Sequence, residues 1–284
     1  MPILNLLPIK QALNMGANEL TDSETPELDS ELILLHAINA HRNILFTDPD
    51  QLLSIDQQNS FVDLIARRKK GEPVAYIIGE QGFWDLTLEV SEHTLIPRGD
   101  TESLVDWVLE QNLSPNSILD LGTGTGALAL ALAYEFPKAR VLGLDLIEEA
   151  VELSKRNAEK NNIQNANFVQ SNWFASLDQG AQFDLIVSNP PYIDEKDHHL
   201  DEGDVRFEPK SALVAEQNGI ADLAIIADKA RGYLMDQGWL IMEHGWQQAD
   251  AVQEILNQFG YERVGSGKDL GGNLRFTFGV WTCS

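Results

Sequence analysis

The chain has 284 residues, enough for one large or two ordinary domains, and 43% of them are apolar, enough for a sizeable core. Its formal net charge of −24 argues against general DNA or RNA binding, because that binding draws its affinity from Lys and Arg at phosphates. The single cysteine, Cys283, excludes an internal disulfide and thiolate metal sites, and it is typical of a reducing cytosol. The start lacks a basic, apolar leader and no apolar run reaches about 18 residues, so a cytoplasmic protein without membrane contact is predicted.

Residues 1–78 are predicted to form a small helical domain. One helix begins at Thr25-Pro26, because proline suits a first helical turn. Its apolar stripe is predicted to be Leu28, Leu32 and Leu35.

A further helix is predicted over residues 56–70. Its apolar positions are Phe61, Leu64 and Ile65, and Gly71 and Pro73 end it. The basic cluster at its end, residues 67–70, is interpreted as cations that suit the carboxyl end of a helix dipole rather than as a nucleic-acid patch.

Residues 79–97 are predicted to be a β-hairpin connector. Turns are expected at Gly82 and at His93-Thr94. The extended positions are Phe83, Leu86, Leu88 and Val90.

From residue 98 to the end, short apolar runs alternate with helical stretches, which predicts a parallel sheet with helices on both faces. Strands are predicted at 117–121, 140–145, 167–170, 183–188 and 239–243, and helices near 126–135, 148–161, 221–235 and 246–259. Two last runs, 261–264 and 275–280, have no helix between them and are predicted to form an antiparallel edge hairpin. The fold class is therefore α/β and Rossmann-like, with seven strands, preceded by the helical domain.

A glycine-rich loop follows the first of these strands. The cofactor-binding residues predicted there are Asp120, Gly122, Thr123, Gly124, Thr125 and Gly126. Asp145 ends the next strand, 23 residues after Gly122, close to the roughly 20-residue spacing of an acid that binds ribose hydroxyls. Because the loop also satisfies the relaxed dinucleotide pattern, a nicotinamide enzyme stays open at this point.

The chemistry-bearing motif is Asn189-Pro190-Pro191-Tyr192, directly after the apolar run 183–188. An asparagine carbonyl and a nearby backbone carbonyl can each accept one N–H of a planar –NH2 group, and the tyrosine ring can lie against the flat group that carries it. The prolines stiffen the loop. Together with Ser171-Asn172-Trp173, placed after the third strand where an adenine would lie, this motif favours S-adenosylmethionine over a nicotinamide cofactor.

Six strings carry a family resemblance: LIPRGDTE (95–102), ILDLGTGTGALALALA (118–133), SNWF (171–174), IVSNPPYI (186–193), GDVRFEP (203–209) and MEHGWQQ (242–248). The chain resembles the protein N5-glutamine methyltransferases of the HemK/PrmC type. The family usually has proline after the arginine of Ile-Pro-Arg, whereas this chain has Gly99.

The resemblance implies a class I fold in residues 98–284 that transfers methyl from S-adenosylmethionine to the glutamine of the Gly-Gly-Gln loop of peptide chain release factors 1 and 2. That modification acts on translation termination. It implies that residues 122–126 contact the methionine part, Asp145 the ribose, Trp173 the adenine, and Asn189 both cofactor and substrate. Residues 189–192 would form the glutamine pocket, with Asn189, Pro190 and Tyr192 as catalytic residues. The helical domain would recognise the release factor, and we expect a monomer without metal.

Two other hypotheses remain. An adenine-N6 nucleic-acid methyltransferase shares Asn-Pro-Pro-Tyr, but the net charge and the absence of a basic stripe speak against it. A non-catalytic binding module is disfavoured by the intact motif. His198-His199 is interpreted as a solvated loop, and the polar residues expected to anchor loops rather than to react are Arg206, Glu208 and His244.

Overall fold

The computed structural model describes residues 6–201 and 203–283. Two compact units can be distinguished. The first is Met1–Gly79 together with Asp201–Phe207, and the second is Glu80–Leu200 together with Glu208–Ser284. None of the helices in the described ranges is long and apolar enough to cross a membrane.

The first unit is helical. Its helices are α1 (Ile9–Glu19), α2 (Pro26–Ile38), α3 (Ile44–Thr47), α4 (Ile55–Lys69) and α5 (Val74–Ile78). Pro26 occupies the first turn of α2, as predicted. Ser54 caps α4 in a capping box with Gln57, so two otherwise unpaired backbone N–H groups are satisfied. The core is formed by Ile9, Ala12, Ile33, Leu34, Phe61 and Ile65, all less than 5% exposed.

The predicted stripe of α2 is wrong. Leu28 and Leu32 are 46% and 37% exposed, whereas Ile33, Leu34 and Ile38 are buried. Because α2 is apolar around most of its circumference, residue spacing alone cannot choose the face that packs against α1 and α4.

The basic cluster does lie in the last turn of α4. The charges of Arg67, Arg68 and Lys69 are paired within the first unit. The guanidinium of Arg68 contacts Asp29 and Asp204, each at 2.7 Å. Arg67 pairs with Glu72 and Lys69 with Glu19.

The second unit is α/β. Its strands are β1 (Glu80–Phe83), β2 (Leu86–Glu89), β3 (Ser117–Leu121), β4 (Arg140–Asp145), β5 (Ala166–Gln170), β6 (Phe183–Ser188), β7 (Leu234–Glu243), β8 (Glu262–Lys268) and β9 (Leu274–Trp281). Its α-helices are α6 (Gly99–Glu110), α7 (Ala127–Glu135), α8 (Glu148–Lys160), α9 (Glu216–Gly219), α10 (Ala221–Ala230) and α11 (Ala249–Gln258).

Strands β3 to β9 form one seven-stranded sheet in the order β5-β4-β3-β6-β7-β9-β8, while β1 and β2 form a separate hairpin. Pairing is parallel from β5 to β7, and β9 is antiparallel to both of its neighbours. The mostly parallel sheet with an antiparallel edge pair is therefore confirmed. One buried apolar cluster includes Leu104 and Leu130, and a second includes Ile226 and Leu256.

Three local predictions in this unit are wrong. Gly82 lies inside β1 opposite Thr87, and the turn falls at Trp84-Asp85. Trp84 tolerates a left-handed φ of 56°, and its N–H donates to Glu102 Oε1 at 2.8 Å, so a tertiary contact holds the turn.

The other two errors concern helix bounds. The helix predicted to reach residue 235 ends at Ala230, because Leu234 already pairs with Phe183 in the sheet. The helix predicted from residue 246 begins at Ala249, because the backbone N–H of Gly245 donates to Gln248 Oε1 at 2.8 Å and closes a turn first.

The chain order of the strands positions the site. The connection after β3 runs to β4 on one side, and the connection after β6 runs to β7 on the other. Open α/β sheets bind ligands in the crevice that such a reversal leaves at the carboxyl ends of the strands. The glycine-rich loop after β3 and the Asn-Pro-Pro-Tyr loop after β6 therefore become neighbours, and Ser188 Oγ donates to the Leu121 carbonyl at 2.7 Å across them.

Candidate active site

A cavity of about 360 Å³ lies at this crevice. It is the size of a small-molecule or cofactor pocket. The predicted site residues that line it are Asp120, Gly122, Thr123, Gly124, Thr125, Asp145, Trp173, Asn189 and Pro191. Gly126, Pro190 and Tyr192 do not line it.

The glycine loop, residues 122–126, is tied to the end of β4. The backbone N–H groups of Gly122 and Thr123 both donate to the Leu144 carbonyl, at 2.8 and 2.9 Å. Gly122 and Gly124 have φ values of 71° and 55°, in the left-handed region that favours glycine. The loop therefore needs these two glycines to present its backbone to the cavity.

Asp120 carries an unpartnered atom at the cavity. The residue is 1% exposed, and its Oδ2 accepts from Thr123 Oγ1 at 2.6 Å and from the Ala129 N–H at 3.2 Å. Oδ1 is buried and has no hydrogen-bond partner. Burial raises the pKa of this carboxyl to about 7. A cationic ligand group beside Oδ1 would satisfy the atom and favour its charged form.

Asp145 holds the glycine loop against the loop that follows β4. Its Oδ2 accepts from the Gly124 N–H at 2.8 Å, and its Oδ1 accepts from the Ile147 N–H at 2.9 Å. Burial raises its pKa, and these backbone donors oppose that rise. Each carboxylate oxygen has two acceptor sites, so both retain capacity for a ligand hydroxyl.

Trp173 forms part of the cavity wall and also packs against the second apolar cluster. Its φ of 49° is left-handed. Burial raises the pKa of Asp222, another cavity residue, and the nearby Trp173 side chain opposes that rise. Its ring lies next to Gly122, where a side chain at position 122 would come within 3.5 Å of it. The tryptophan is therefore both a core residue and a flat face of the cavity.

Asn189 presents a free acceptor. Its Nδ2 donates to Thr101 Oγ1 at 3.3 Å, while its buried Oδ1 has no partner. Thr101 also lines the cavity. A side-chain carbonyl oxygen left in this way can accept an N–H from a ligand, and an unsatisfied buried acceptor otherwise costs about 1–3 kcal/mol.

The residues of the motif that do not line the cavity support it. Tyr192 Oη donates to Glu243 Oε1 at 3.3 Å, and the Tyr192 carbonyl accepts from Gln248 Nε2 at 3.0 Å. Burial raises the pKa of the Tyr192 phenol, and the nearby Glu243 carboxylate adds to that rise. Pro190 is buried. The loop is thus held from behind by residues after β7.

Gly126 has a packing role. It is the N-cap of α7 with a φ of 85°, and a Cβ there would press on Leu130 and Ser154. The absence of a side chain at Gly126 lets α7 begin close to α8, and Gly126 does not contact the cavity.

The predicted anchoring contacts of Glu208, His244 and Arg206 are present. The guanidinium of Arg98 pairs with Glu208, whose other oxygen accepts from the Ile96 N–H at 3.3 Å. His244 is buried, with Nδ1 2.9 Å from the Gly245 carbonyl and Nε2 2.8 Å from Thr277 Oγ1. Arg206 donates to the Lys70 carbonyl within the first unit.

Comparisons with known proteins give the family. A family model described as a methyltransferase domain matches residues 114–272, and one described as the PrmC N-terminal domain matches residues 11–79. A protein of Pseudomonas aeruginosa named release factor glutamine methyltransferase is 50% identical over 94% of this chain and 96% of its own length. A protein of the same name from Aliivibrio fischeri is 48% identical over 97% of this chain and 98% of its own length.

The chain belongs to the release factor glutamine methyltransferase family. A solved methyltransferase from Pyrococcus furiosus, 20% identical, matches 77% of this chain and 98% of that chain with a TM-score of 0.52, which supports the class I methyltransferase fold. That fold is the one of S-adenosylmethionine-dependent enzymes. The predicted family and fold class are confirmed.

The cavity fits S-adenosylmethionine on its own chemistry. The unpartnered, buried Oδ1 of Asp120 suits the ammonium of the methionine part. Asp145 retains acceptor capacity for ribose hydroxyls, and the Trp173 ring offers a flat surface for a purine.

Sequence reasoning missed two residues that shape the site, namely Asp222 and Glu243. Glu243 had an available signal, because it lies in the string MEHGWQQ at the carboxyl end of the strand that neighbours β6. Carboxyl ends of neighbouring parallel strands lie at the same edge of a sheet, so its proximity to residues 189–192 could have been predicted.

Proposed function

We propose that this protein transfers a methyl group from S-adenosyl-L-methionine to the side-chain amide nitrogen (N5) of the glutamine in the Gly-Gly-Gln motif of peptide chain release factors 1 and 2. The observation that carries the proposal is the buried, unpartnered Oδ1 of Asn189 in the same cavity as the unpartnered Oδ1 of Asp120. One atom suits an amide N–H and the other a cofactor ammonium. The name of the relatives supplies the release factor as substrate.

Cofactor binding is assigned to the β3–α7 loop and its neighbours. Asp120 would bind the ammonium, the backbone of residues 122–126 would surround the methionine part, and Asp145 would accept from the ribose. Trp173 would stack on the adenine. The bound cofactor supplies an electrophilic methyl group on a sulfonium, which is the hard part of the chemistry.

The protein's own contribution is to position a weak nucleophile. The lone pair of an amide nitrogen is delocalised into its carbonyl, so the nitrogen must be held in line with the methyl group. Asn189 Oδ1 and the Pro190 backbone carbonyl would accept the two amide hydrogens, and the Tyr192 ring would lie against the amide plane. Positioning of this kind contributes roughly 7–11 kcal/mol in favourable cases, and acceptors aimed at a nitrogen that becomes positive stabilise the transition state further.

The two parts of the chain receive different roles in this proposal. Residues 1–78 would bind a part of the release factor other than the Gly-Gly-Gln loop, and residues 98–284 would carry out the methyl transfer. Residues 79–97 would connect these two parts. The exposed leucines of α2, Leu28 and Leu32, are candidates for that contact. The net charge of −24 suits a protein substrate with basic surface. We propose a cytoplasmic monomer that makes no direct contact with nucleic acid or membrane.

The test is methyl transfer from labelled S-adenosylmethionine to purified release factor 1 or 2, with a Gly-Gly-Gln→Gly-Gly-Ala factor as control. We expect label on the wild-type factor alone, at a rate insensitive to moderate salt. Label on neither factor, with cofactor binding confirmed by calorimetry, would contradict the substrate. Salt-sensitive labelling of unmethylated DNA instead would favour the adenine-N6 alternative.

A further inference from the structure

Glu243 is a buried carboxyl that the proposed mechanism does not use. It ends β7, the strand next to β6, and is 2% exposed. It does not line the cavity. Its Oε1 accepts from Tyr192 Oη at 3.3 Å, and its Oε2 has no hydrogen-bond partner of normal geometry. A buried carboxyl with one oxygen that lacks a hydrogen bond of normal geometry is costly, which points to a role for Glu243.

Thr101 connects the same carboxyl to the other end of the 189–192 loop. Its Oγ1 accepts from Asn189 Nδ2 at 3.3 Å, and its hydroxyl lies near Glu243, where it lowers the pKa of that carboxyl. The first residue of the loop therefore reaches Glu243 through Thr101, and the last residue reaches it directly. Both ends of the loop depend on one carboxyl.

The direction of these hydrogen bonds matters for the amide of Asn189. A carboxylate only accepts, so it draws the hydroxyl hydrogens of Thr101 and Tyr192 toward itself. The Thr101 oxygen is then left as an acceptor, which selects the Nδ2 side of Asn189. Oδ1 is consequently turned away and remains available to a substrate N–H.

We propose that Glu243 is a positioning residue that, through Thr101 and Tyr192, holds Asn189 with its carbonyl oxygen toward the substrate amide. The proposal rests on the proposed function for the identity of that amide. It predicts that the charged form of Glu243 is the competent one, because a protonated carboxyl can donate to Thr101 and remove the preference for Nδ2.

The charges around Glu243 are few. Arg275 on β9 lowers its pKa, Asp100 on α6 raises it, and on the loop after β6 Tyr192 donates to it. Arg275 itself contacts Asp100 and Asp269, at 3.1 and 2.9 Å, so its charge is shared. Burial outweighs these groups and raises the pKa of Glu243 to about 7. Its competent form is thus gained as the pH rises through neutrality.

The test compares Glu243→Gln with wild type in the release factor assay at saturating cofactor, from pH 6 to pH 9. We expect the wild-type kcat to rise with pH and to level off above about 7, and the variant to be at least tenfold slower with no such rise. The Kd for S-adenosylmethionine should change less than threefold, because Glu243 lies outside the cavity. A merely structural role would lower kcat equally at all pH values and leave the profile unchanged.

Three further variants keep the test decisive. Asp184→Asn removes a carboxylate at the opposite end of β6 and should leave the pH profile intact. If Glu243→Gln does not fold, Thr101→Val should show the slow rate that is expected of Glu243→Gln. Thr101→Ser, which keeps the hydroxyl, should retain most of the wild-type rate. A Glu243→Gln enzyme within threefold of wild type with the same profile overturns the proposal. A wild-type enzyme that labels no release factor contradicts the proposed function instead.

Discussion

The two halves of the site are built in different ways. In the cofactor half, Asp120 bonds to Thr123, three residues on, and Asp145 bonds to Gly124, 21 residues back. In the half that would hold the amide, Asn189 bonds to Thr101 across 88 residues and Tyr192 to Glu243 across 51. These polar contacts of the first half lie within one strand–loop–helix–strand unit, to which Trp173 after β5 is added, and the second half is assembled by the sheet. Substitutions in the two halves should therefore separate cofactor affinity from methyl transfer.

The largest effect is expected for Asn189→Ala. It removes the acceptor aimed at the substrate amide, and the loss of one preorganised group of this kind typically costs roughly 100- to 1,000-fold in kcat. The measurement is single-turnover transfer to the release factor at saturating cofactor. Circular dichroism should report an unchanged fold, because Asn189 makes one side-chain hydrogen bond, to Thr101.

Asn116→Ala is the matched control for that substitution. Asn116 is an exposed asparagine just before β3, at the amino ends of the strands. The Asn116→Ala enzyme should transfer methyl at the wild-type rate. An Asn189→Ala enzyme that keeps more than a tenth of the wild-type rate would show that Asn189 does not play this role.

The second-largest effect is expected for a substitution in the cofactor half. Asp120→Asn keeps the shape of the side chain but removes the charge offered to the ammonium. A hydrogen bond to a charged group contributes about 1.5–3 kcal/mol, so we expect the Kd for S-adenosylmethionine to rise roughly 10- to 150-fold. Titration calorimetry measures it, and kcat at saturating cofactor should fall far less than in Asn189→Ala. Equal losses in affinity and kcat for both variants would contradict the division into halves.

Asp120 should also link cofactor binding to pH. Its folded pKa of about 7 lies above that of an unfolded aspartate. Without cofactor, its contribution to stability is therefore present below about pH 4 and lost as pH rises toward 7. A bound ammonium favours the carboxylate, so binding near pH 7 should release a proton. Calorimetry in buffers of different ionisation enthalpy detects this release, and Asp120→Asn should abolish it.

The same division explains what sequence reasoning could find. The cofactor half is local, so the Gly122–Gly126 pattern and the spacing to Asp145 predict it directly. The partners of Asn189 and Tyr192 come from α6 and β7. The place of Glu243 at the end of a neighbouring strand predicts the edge of the sheet at which it lies, but the sequence does not state which side chains it meets there. The helix α2 fails for a related reason, since its apolar residues surround it and only tertiary packing decides that Leu28 stays exposed. Turns held by distant contacts, such as Trp84 against Glu102, are hidden in the same way.

A moderate effect is expected for Tyr192→Phe. It removes the 3.3 Å hydrogen bond to Glu243 but keeps the aromatic ring. The hydrogen bond from Gln248 to the backbone carbonyl of residue 192 is also kept. A neutral donor contributes about 0.5–1.5 kcal/mol, so kcat should fall roughly 2- to 12-fold, and the Kd for cofactor should not change. Tyr261→Phe is the control, because its hydroxyl bonds to the Ala227 carbonyl away from the cavity. A Tyr192→Phe enzyme as slow as Asn189→Ala would mean that the hydroxyl acts on the substrate itself.

The smallest effect concerns the start of α6, which supplies Thr101 to the amide half. Gly99 is the first residue of this helix, where the family usually has proline, and a Cβ at Gly99 would meet no atom within 4 Å. Arg98 before it is extended, with φ −105° and ψ 142°, as a residue preceding proline must be. Gly99→Pro should therefore stabilise the second unit by about 0.4–1 kcal/mol, because proline lowers the conformational entropy of the unfolded chain. Urea denaturation followed by tryptophan fluorescence measures this, because all six tryptophans lie after residue 80. Methyl transfer should be unchanged, since the Arg98–Glu208 ion pair already fixes the segment before α6. A faster enzyme would instead mean that Gly99 loosens the placement of Thr101, and that the amide half is limited by the order of this helix.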